Sequence, residues 1–154
     1  MATARPRTTV QQNIAATCPT HSRTDLRVRD LESVIDEPEE RDGTNLGFTP
    51  TETLIASLIG CTNVISHKIA HRHGIAFADM TIEAEATFDR RGAALMEEVR
   101  VPFPRIVLTI DVRTDASDAD MEKVKTELPK FCPVSKVIRE AGTVIEEVWN
   151  VTRG

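Results

Sequence analysis

Residues 50–74 read PTETLIASLIGCTNVISHKIAHRHG, and their apolar positions repeat with the period of an α-helix. At about 100° per residue these positions share one face of the helix, and Cys61 lies on that face. Asn63, His67 and His71 fall on the polar side. The pattern predicts a buried helix whose Cys61 thiol points into the core or an interface. Its apolar face comprises Leu54, Ile55, Leu58, Ile59, Ile65 and Ile69.

The sequence also marks both ends of this helix. Thr49 is a suitable N-cap, Pro50 fits the first helical position, and Glu52 completes a Thr-x-x-Glu capping box. Basic residues in the last turns suit the negative end of the helix dipole, and Gly74 can adopt the left-handed conformation that ends a helix. We therefore predict a helix over residues 50–73.

Length and composition predict one domain over residues 1–154, with residues 1–17 as a loosely ordered N-terminal segment. The net charge of −5 and the scattered basic residues are unlike those of a nucleic-acid-binding protein. No run approaches the roughly 20 apolar residues that span a bilayer, and the first ten residues lack the apolar core of a signal peptide. These features predict a cytoplasmic protein that binds neither nucleic acid nor membrane.

On either side of the helix the patterns favour short strands and loops. Residues 24–35 suggest one or two short strands, and the acidic residues 36–47 suggest a mobile surface loop. After Gly74 the apolar period changes to two, which predicts a half-buried strand over residues 80–88. A second strand over residues 97–114 is expected to pair with it as an antiparallel hairpin.

Prolines and caps organise the remaining elements. Pro102 and Pro104 place the early part of the second strand at an edge or a bulge. Ser117 is the expected N-cap of a helix over residues 118–128, which Pro129 ends. Cys132, followed by a proline, is the expected N-cap of a last helix, before a final strand over residues 144–151.

Three cysteines, Cys18, Cys61 and Cys132, are too few for the disulfide framework of a small secreted domain. Cys18 lies in a turn-like TCPT segment and is expected to be an ordinary thiol. Cys132 at a helix N-terminus is expected to have a lowered pKa. Cys61 is desolvated, so its thiolate needs a nearby cation, for which Arg23, Arg27 and Arg29 are candidates. Composition alone favours two buried structural thiols.

Two other groups of polar residues could carry chemistry. His67 and His71 are four residues apart on one helical face, but the glutamate of a His-Glu-x-x-His zinc site is missing and basic residues are expected at a helix C-terminus. We therefore expect no metal. The pairs Glu97–Glu98 and Glu146–Glu147 lie in predicted strands, so each pair points to opposite faces and is expected to be solvated.

The segment TPTETLIASLIGCT, residues 49–62, resembles the P-x-E-x-L-(x)n-G-C-T signature of the OsmC/Ohr family. FCPVSKVI, residues 131–138, resembles the family's second-cysteine motif, C-P-[VI]-[SH], and the order of elements over residues 36–151 agrees with it. The resemblance implies an α+β OsmC-like fold. In that fold the long central helix carrying Cys61 packs against mainly antiparallel sheets of an intertwined homodimer, with the thiols at the subunit interface.

The resemblance also implies an activity, since catalytic members of the family reduce organic hydroperoxides in oxidative-stress defence. Cys61 would be the attacking thiolate, and Cys132 would condense with its sulfenic acid to a disulfide. An external dithiol reductant, lipoyl-linked in some members, would reduce this disulfide, and no metal or organic cofactor would be needed. Arg23 is the candidate for the family's arginine beside the thiolate, with Arg27 and Arg29 as rivals.

The sequence departs from the peroxidase branch at one position. That branch has a glutamate ten residues before the first cysteine, where this chain has Thr51. Glu52 is nine residues before Cys61, about half a turn out of phase, which favours a capping role over a catalytic one. The chain is more similar to the less characterised OsmC-like relatives. The alternative to a peroxidase is a non-catalytic dimer that binds a small apolar or electrophilic ligand at its interface.

Overall fold

The structure is a computed structural model, and it describes residues 8–154. The chain divides into two compact units at Thr53 and Leu54, and each is described here by itself. The prediction of a single domain over residues 1–154 stays a prediction. Of the N-terminal segment that we expected to be loosely ordered, residues 1–7 lie outside the described part of the chain.

The first unit contains an antiparallel sheet of three short strands, in the order β1 (Ala15–Thr17), β2 (Thr24–Val28) and β3 (Leu31–Ile35). The strands predicted within residues 24–35 are therefore confirmed. Strand β1 was not predicted. It pairs with β2 from Ala15 opposite Arg27 to Thr17 opposite Asp25, which corrects the expectation of loose order for residues 15–17.

The loop after β3 closes around one buried carboxylate. Asp36 is fully buried, and it accepts hydrogen bonds from the backbone N–H groups of Glu37 at 2.8 Å and Thr44 at 3.0 Å. The Thr44 hydroxyl and the Leu46 N–H donate to the same side chain. Sequence composition suggested a mobile loop over residues 36–47. Instead, one side chain fixes the backbone on both sides of a short 3-10 helix at Glu39–Arg41.

Replacing Asp36 with asparagine is expected to loosen this loop and to speed trypsin cleavage after Arg41. The hydroxyl of Thr44 holds the pKa of Asp36 well below its usual range. Because the pKa of Asp36 is lower in the folded than in the unfolded state, its carboxylate stabilises the fold at pH values above the unfolded pKa of about 4. This stabilisation is lost as the pH falls from the unfolded pKa through the folded pKa. The stability difference between wild type and variant in urea should therefore shrink in acid. Glu39→Gln, an exposed change in the same loop that does not touch the cleaved bond, is the control. Equal cleavage rates in both variants would contradict the role of Asp36.

Helix α1 (Pro50–Arg72) begins at the predicted residue and ends one residue before the predicted end. The Thr49 N–H donates to Glu52 Oε2 at 2.8 Å, and the Glu52 N–H donates to Thr49 Oγ1 at 3.2 Å. This reciprocal pair confirms the capping box. Gly74, with φ of +70°, turns the chain, and the Ile75 N–H closes back on the Ala70 carbonyl at 2.9 Å.

The second unit contains a sheet in the order β4 (Asp79–Thr87), β5 (Arg105–Arg113) and β6 (Val144–Thr152). The predicted antiparallel hairpin of β4 and β5 is confirmed. The second strand begins only at Arg105, rather than at residue 97, because Pro102 and Pro104 have no N–H for the ladder. Strand β6 runs parallel to β5, since the intervening chain crosses over through two helices.

These two helices are α2 (Asp118–Phe131) and α3 (Pro133–Glu140). Ser117 caps α2 as predicted, but α2 does not end at Pro129. A proline near a helix C-terminus removes only one N–H bond, and the Cys132 N–H still reaches the Leu128 carbonyl at 2.9 Å. Cys132 is the N-cap of α3, as predicted.

Two apolar clusters form the core of the second unit. One joins α1 to the inward face of the sheet through Leu58, Ile106, Leu108 and Ile110, and also takes in Ile138 and Ile145. The other joins α1 to α2 and to the start of α3, and it contains Cys132 with Cys61 packed against it. The second cluster is therefore what brings the two cysteine-bearing segments together.

Helix α1 is also long and apolar enough, by length and composition alone, to cross a membrane. We expected no apolar run long enough to span a bilayer, because uncharged Ser, Thr and Asn residues interrupt the apolar positions of α1. A core helix of a soluble protein passes the same test.

Candidate functional site

The two predicted redox cysteines lie in contact. Cys61 is half-buried in the middle of α1, Cys132 is fully buried at the N-cap of α3, and both are free thiols. The Cys132 S–H donates to Cys61 Sγ, and the two sulfur atoms are 3.0 Å apart. The fold therefore brings together two thiols that are 71 positions apart in the chain.

The pKa of the Cys132 thiol differs from the one predicted from its position at a helix N-terminus. Burial, together with the hydrogen bond to Cys61, raises the pKa of Cys132 to about 11. The Ser135 N–H at 3.4 Å acts in the opposite direction but is the weaker effect. The predicted lowering of this pKa is therefore wrong, because desolvation outweighs the helix dipole. At neutral pH Cys132 keeps its proton and can donate it to Cys61.

A series of hydrogen bonds continues from Cys132 to strand β6. The Ser135 N–H donates to Cys132 Sγ, and Arg139 Nε donates to Ser135 Oγ at 3.1 Å. The other end of the Arg139 guanidinium donates to Glu147 Oε1, also at 3.1 Å. We call Ser135, Arg139 and Glu147 the α3 clamp, since they connect the first turn of α3 to the sheet.

Glu147 is not solvated, which corrects the prediction for the pair Glu146–Glu147. Its side chain is 12% exposed and shares the inward face of β6 with Ile145 and Trp149. Burial raises the pKa of Glu147, and the charge of Arg139 opposes that rise. Glu146 faces the other way and pairs with Arg105 at 2.7 Å. The alternation along the predicted strand could have identified a charged residue in phase with Ile145 and Trp149.

Glu97 and Glu98 are exposed, as predicted, but the strand assumed for them is absent. They lie in the connection before β5 rather than in a strand, so the alternation assumed for them does not apply. Glu97 pairs with Arg91 at the surface. Neither residue belongs to the site.

The candidate arginines all lie in the first unit. Arg23 forms a two-point ion pair with Asp25, with Nε–Oδ1 and Nη2–Oδ2 distances of 2.7 and 3.1 Å. Arg27 pairs with Glu32 on the exposed surface, and Arg29 lies in the turn between β2 and β3 with φ of +54°. The role of any of them beside the thiolate stays a prediction.

Glu52, the candidate acid, uses its carboxylate in the capping box. The Thr49 N–H lowers the pKa of Glu52. This contact accounts for the presence of Glu52 through helix stability alone. A catalytic role for Glu52 stays a prediction.

The histidines of α1 and Cys18 were the remaining candidates for chemistry in the sequence. His67 Nδ1 lies 2.9 Å from the Asn63 carbonyl, and its ring packs edge-on against Phe77. Within residues 8–154, no group of three or more His, Cys, Asp or Glu side chains is arranged to hold a metal ion. Cys18 is exposed, just after β1.

Solved structures with this fold come from several bacteria. An OsmC-like protein from Mycoplasma pneumoniae is 16% identical, with a TM-score of 0.72 over 94% of this chain and 97% of its own. The organic hydroperoxide resistance protein OsmC of Legionella pneumophila is 15% identical, with a TM-score of 0.64 over 93% and 97% of the two chains. An organic hydroperoxide resistance protein from Elizabethkingia anophelis is 15% identical, with a TM-score of 0.62 over 96% and 99%.

At these identities the likeness establishes the α+β fold and no more. A search of curated protein sequences gave no significant match. The family model described as OsmC-like protein matches residues 43–147, well over half of the chain, and this match includes Cys61 and Cys132. The chain therefore belongs to the OsmC-like protein family.

Proposed function

We propose that this protein reduces organic hydroperoxides through a redox pair formed by Cys61 and Cys132. The observation that carries the proposal is the contact of their sulfur atoms at 3.0 Å, with Cys132 as the hydrogen-bond donor. Cys132 keeps its thiol proton at neutral pH because burial raises its pKa, and it is fully buried, whereas Cys61 is half-buried. This difference supports Cys61 as the attacking residue and Cys132 as the resolving one.

In the first step the Cys61 thiolate attacks the outer oxygen of the hydroperoxide. The O–O bond breaks, the alkoxide leaves and takes up a proton to become an alcohol, and Cys61 becomes a sulfenic acid. The thiolate supplies the two electrons that reduce the peroxide. Cys61 suits this step because it is half-buried, and so open to a small substrate, whereas Cys132 is fully buried.

In the second step the sulfur of Cys132 attacks the sulfenic sulfur of Cys61. A disulfide forms, and the sulfenic oxygen leaves as water with the thiol proton. An external dithiol then reduces the disulfide by thiol–disulfide exchange and is itself oxidised. A lipoyl-linked dithiol is one candidate reductant, and the cycle uses no metal or organic cofactor.

The test is a peptide map of the reduced protein after one equivalent of cumene hydroperoxide, read by mass spectrometry. We expect a peptide pair linked through Cys61 and Cys132, together with one equivalent of cumyl alcohol. Cys18 should remain a free thiol, which makes it an internal control for non-specific oxidation. Free Cys61 and Cys132 alongside unreacted hydroperoxide would refute the proposal.

We also propose that the protein is a cytoplasmic homodimer that binds neither nucleic acid nor membrane. Helix α1 exposes two large apolar side chains, Leu54 and Val64, and the end of α2 exposes Phe131. Apolar groups of this size on neighbouring elements suit an interface with a second copy.

Val64→Glu is expected to weaken the dimer at least about tenfold, because a charge would be buried at the interface. Val64 is 48% exposed in the single chain, so the monomer itself should fold normally. Analytical ultracentrifugation over a range of concentrations measures the effect. A wild-type protein that is monomeric throughout, or a variant with unchanged association, would contradict the expected interface.

The alternative function is binding of a small apolar or electrophilic ligand without turnover. The observation in its favour is the raised pKa of Cys132, about 11, which disfavours this thiol as a nucleophile. Alkylation of the native protein with iodoacetamide separates the two functions. Rapid, selective labelling of Cys61 favours the peroxidase, and inert thiols favour the binding protein.

A further inference from the structure

The α3 clamp is not used by the chemistry proposed above. It consists of the buried Ser135 on α3, Arg139 one turn later, and Glu147 on β6. Through the Ser135 N–H it ends at Cys132 Sγ. It is thus the polar connection from the second cysteine to the sheet.

The clamp differs from a surface ion pair on the next residue of the same strand. Glu147 faces the core with 12% of its side chain exposed, and Arg139 is 33% exposed. Glu146 and its partner Arg105 are 46% and 52% exposed on the opposite face. An exposed pair contributes little to structure, whereas separating a buried pair leaves a desolvated charge without a partner. The inner pair is therefore a fixed anchor, and the outer pair is a natural control.

Helix α3 needs such an anchor because it is only eight residues long. A helix of this length is not stable by itself in water. Of its apolar side chains, Ile138 is buried in the core, while Val137 is 72% exposed. The first turn of α3 packs on the apolar clusters through Cys132 and Val134, and the clamp adds a polar contact to the sheet that fixes the position of this turn.

We infer that Arg139 and Glu147 are positioning residues that act through Ser135 to hold Cys132 Sγ against Cys61 Sγ for disulfide formation. The sulfurs must approach from 3.0 Å to about 2.0 Å with a defined dihedral angle. A displacement of about 1 Å can cost up to a hundredfold in such a reaction. The inference rests on the proposed function only in taking the two thiols as a redox pair.

The experiment measures the equilibrium between the protein and a glutathione redox buffer under native conditions. The reduced protein and oxidised glutathione give the Cys61–Cys132 disulfide and two reduced glutathione molecules, so the thiol electrons pass to glutathione. The equilibrium constant reports how well the two sulfurs are held together. We expect Arg139→Met and Glu147→Gln to lower it about tenfold. Glu146→Gln should leave it unchanged.

Two further variants separate positioning from general stability. Ser135→Ala keeps the Arg139–Glu147 pair and the Ser135 N–H, but it removes the hydroxyl oxygen that accepts from Arg139 Nε. This variant should lower the equilibrium constant for disulfide formation about fivefold, the value of one hydrogen bond. Arg139→Lys keeps a charge for Glu147 and loses the Nε donor, so it should behave like Ser135→Ala. A merely structural role would lower the melting temperature in these variants without moving the disulfide equilibrium.

Each outcome decides one proposal. Constants within twofold of wild type, in the folded variants, overturn the positioning role, and so does a wild type that forms no Cys61–Cys132 disulfide with oxidised glutathione. If the wild type forms that disulfide but leaves cumene hydroperoxide intact, the peroxidase proposal fails. In that case lowered constants in the clamp variants still support the positioning role.

Discussion

Replacing Cys61 with serine is expected to lower the rate of hydroperoxide reduction by at least about a thousandfold, since a hydroxyl cannot serve as the attacking thiolate. The rate is measured as consumption of cumene hydroperoxide with dithiothreitol as the reductant. The matched control is Cys18→Ser, a change at an exposed cysteine, which should keep the wild-type rate. Residual turnover in Cys61→Ser above one tenth of wild type would assign the attack to another residue.

Cys132→Ser should give a different result, because the resolving thiol is needed only in the second step. The variant is expected to consume one equivalent of hydroperoxide and to form a sulfenic acid at Cys61 that a dimedone probe can trap. Further hydroperoxide should then drive Cys61 to the sulfinic acid. If Cys132→Ser lost the first equivalent and Cys61→Ser kept it, the order of attack would be reversed.

Leu58→Ala is expected to lower the free energy of unfolding by about 3 kcal/mol, since it leaves a cavity between α1 and the sheet. Leu58 is fully buried and packs in the cluster of β5 side chains Ile106, Leu108 and Ile110. Urea denaturation at fixed protein concentration measures the change, because stability depends on concentration in a dimer.

The control for this measurement is the same substitution at an exposed position. Leu95 is 93% exposed, so Leu95→Ala should change the free energy of unfolding by less than about 0.5 kcal/mol. Equal losses in the two variants would mean that Leu58 does not anchor α1 on the sheet. Because α1 carries Cys61, Leu58→Ala should also slow formation of the Cys61–Cys132 disulfide, since a less ordered α1 holds the two sulfur atoms together less well.

Much of the fold could be predicted because its signals are local. The capping box at Thr49 and Glu52 needs only three residues of separation, and both hydrogen bonds are present. Strand β4 follows from alternation, and the Cys132 cap of α3 follows from the proline after it. The predictions failed where a local signal was weaker than assumed. Pro129 does not end α2, because near a C-terminus a proline removes a single hydrogen bond.

The candidate site, like the fold, was predicted correctly only in the features that a local sequence pattern reveals. The motifs around Cys61 and Cys132 identified the two thiols, but the predicted pKa of Cys132 had the wrong direction. A helix N-terminus is visible in the sequence, whereas the burial that raises this pKa depends on side chains from α1 and α2. Glu147 was assigned to solvent for the same reason, since the partner that keeps it inside, Arg139, belongs to another element.

The sequence by itself determined the helices, their caps, the hairpin and the two cysteines, because periodicity, prolines and caps act over a few residues. Only the tertiary structure decided the parallel pairing of β6, the contact of the two sulfurs and the clamp that reaches Cys132. These features join residues far apart in the chain, 71 positions in the case of the thiols. Their distances and their desolvation depend on how the elements pack, and no local pattern encodes that packing.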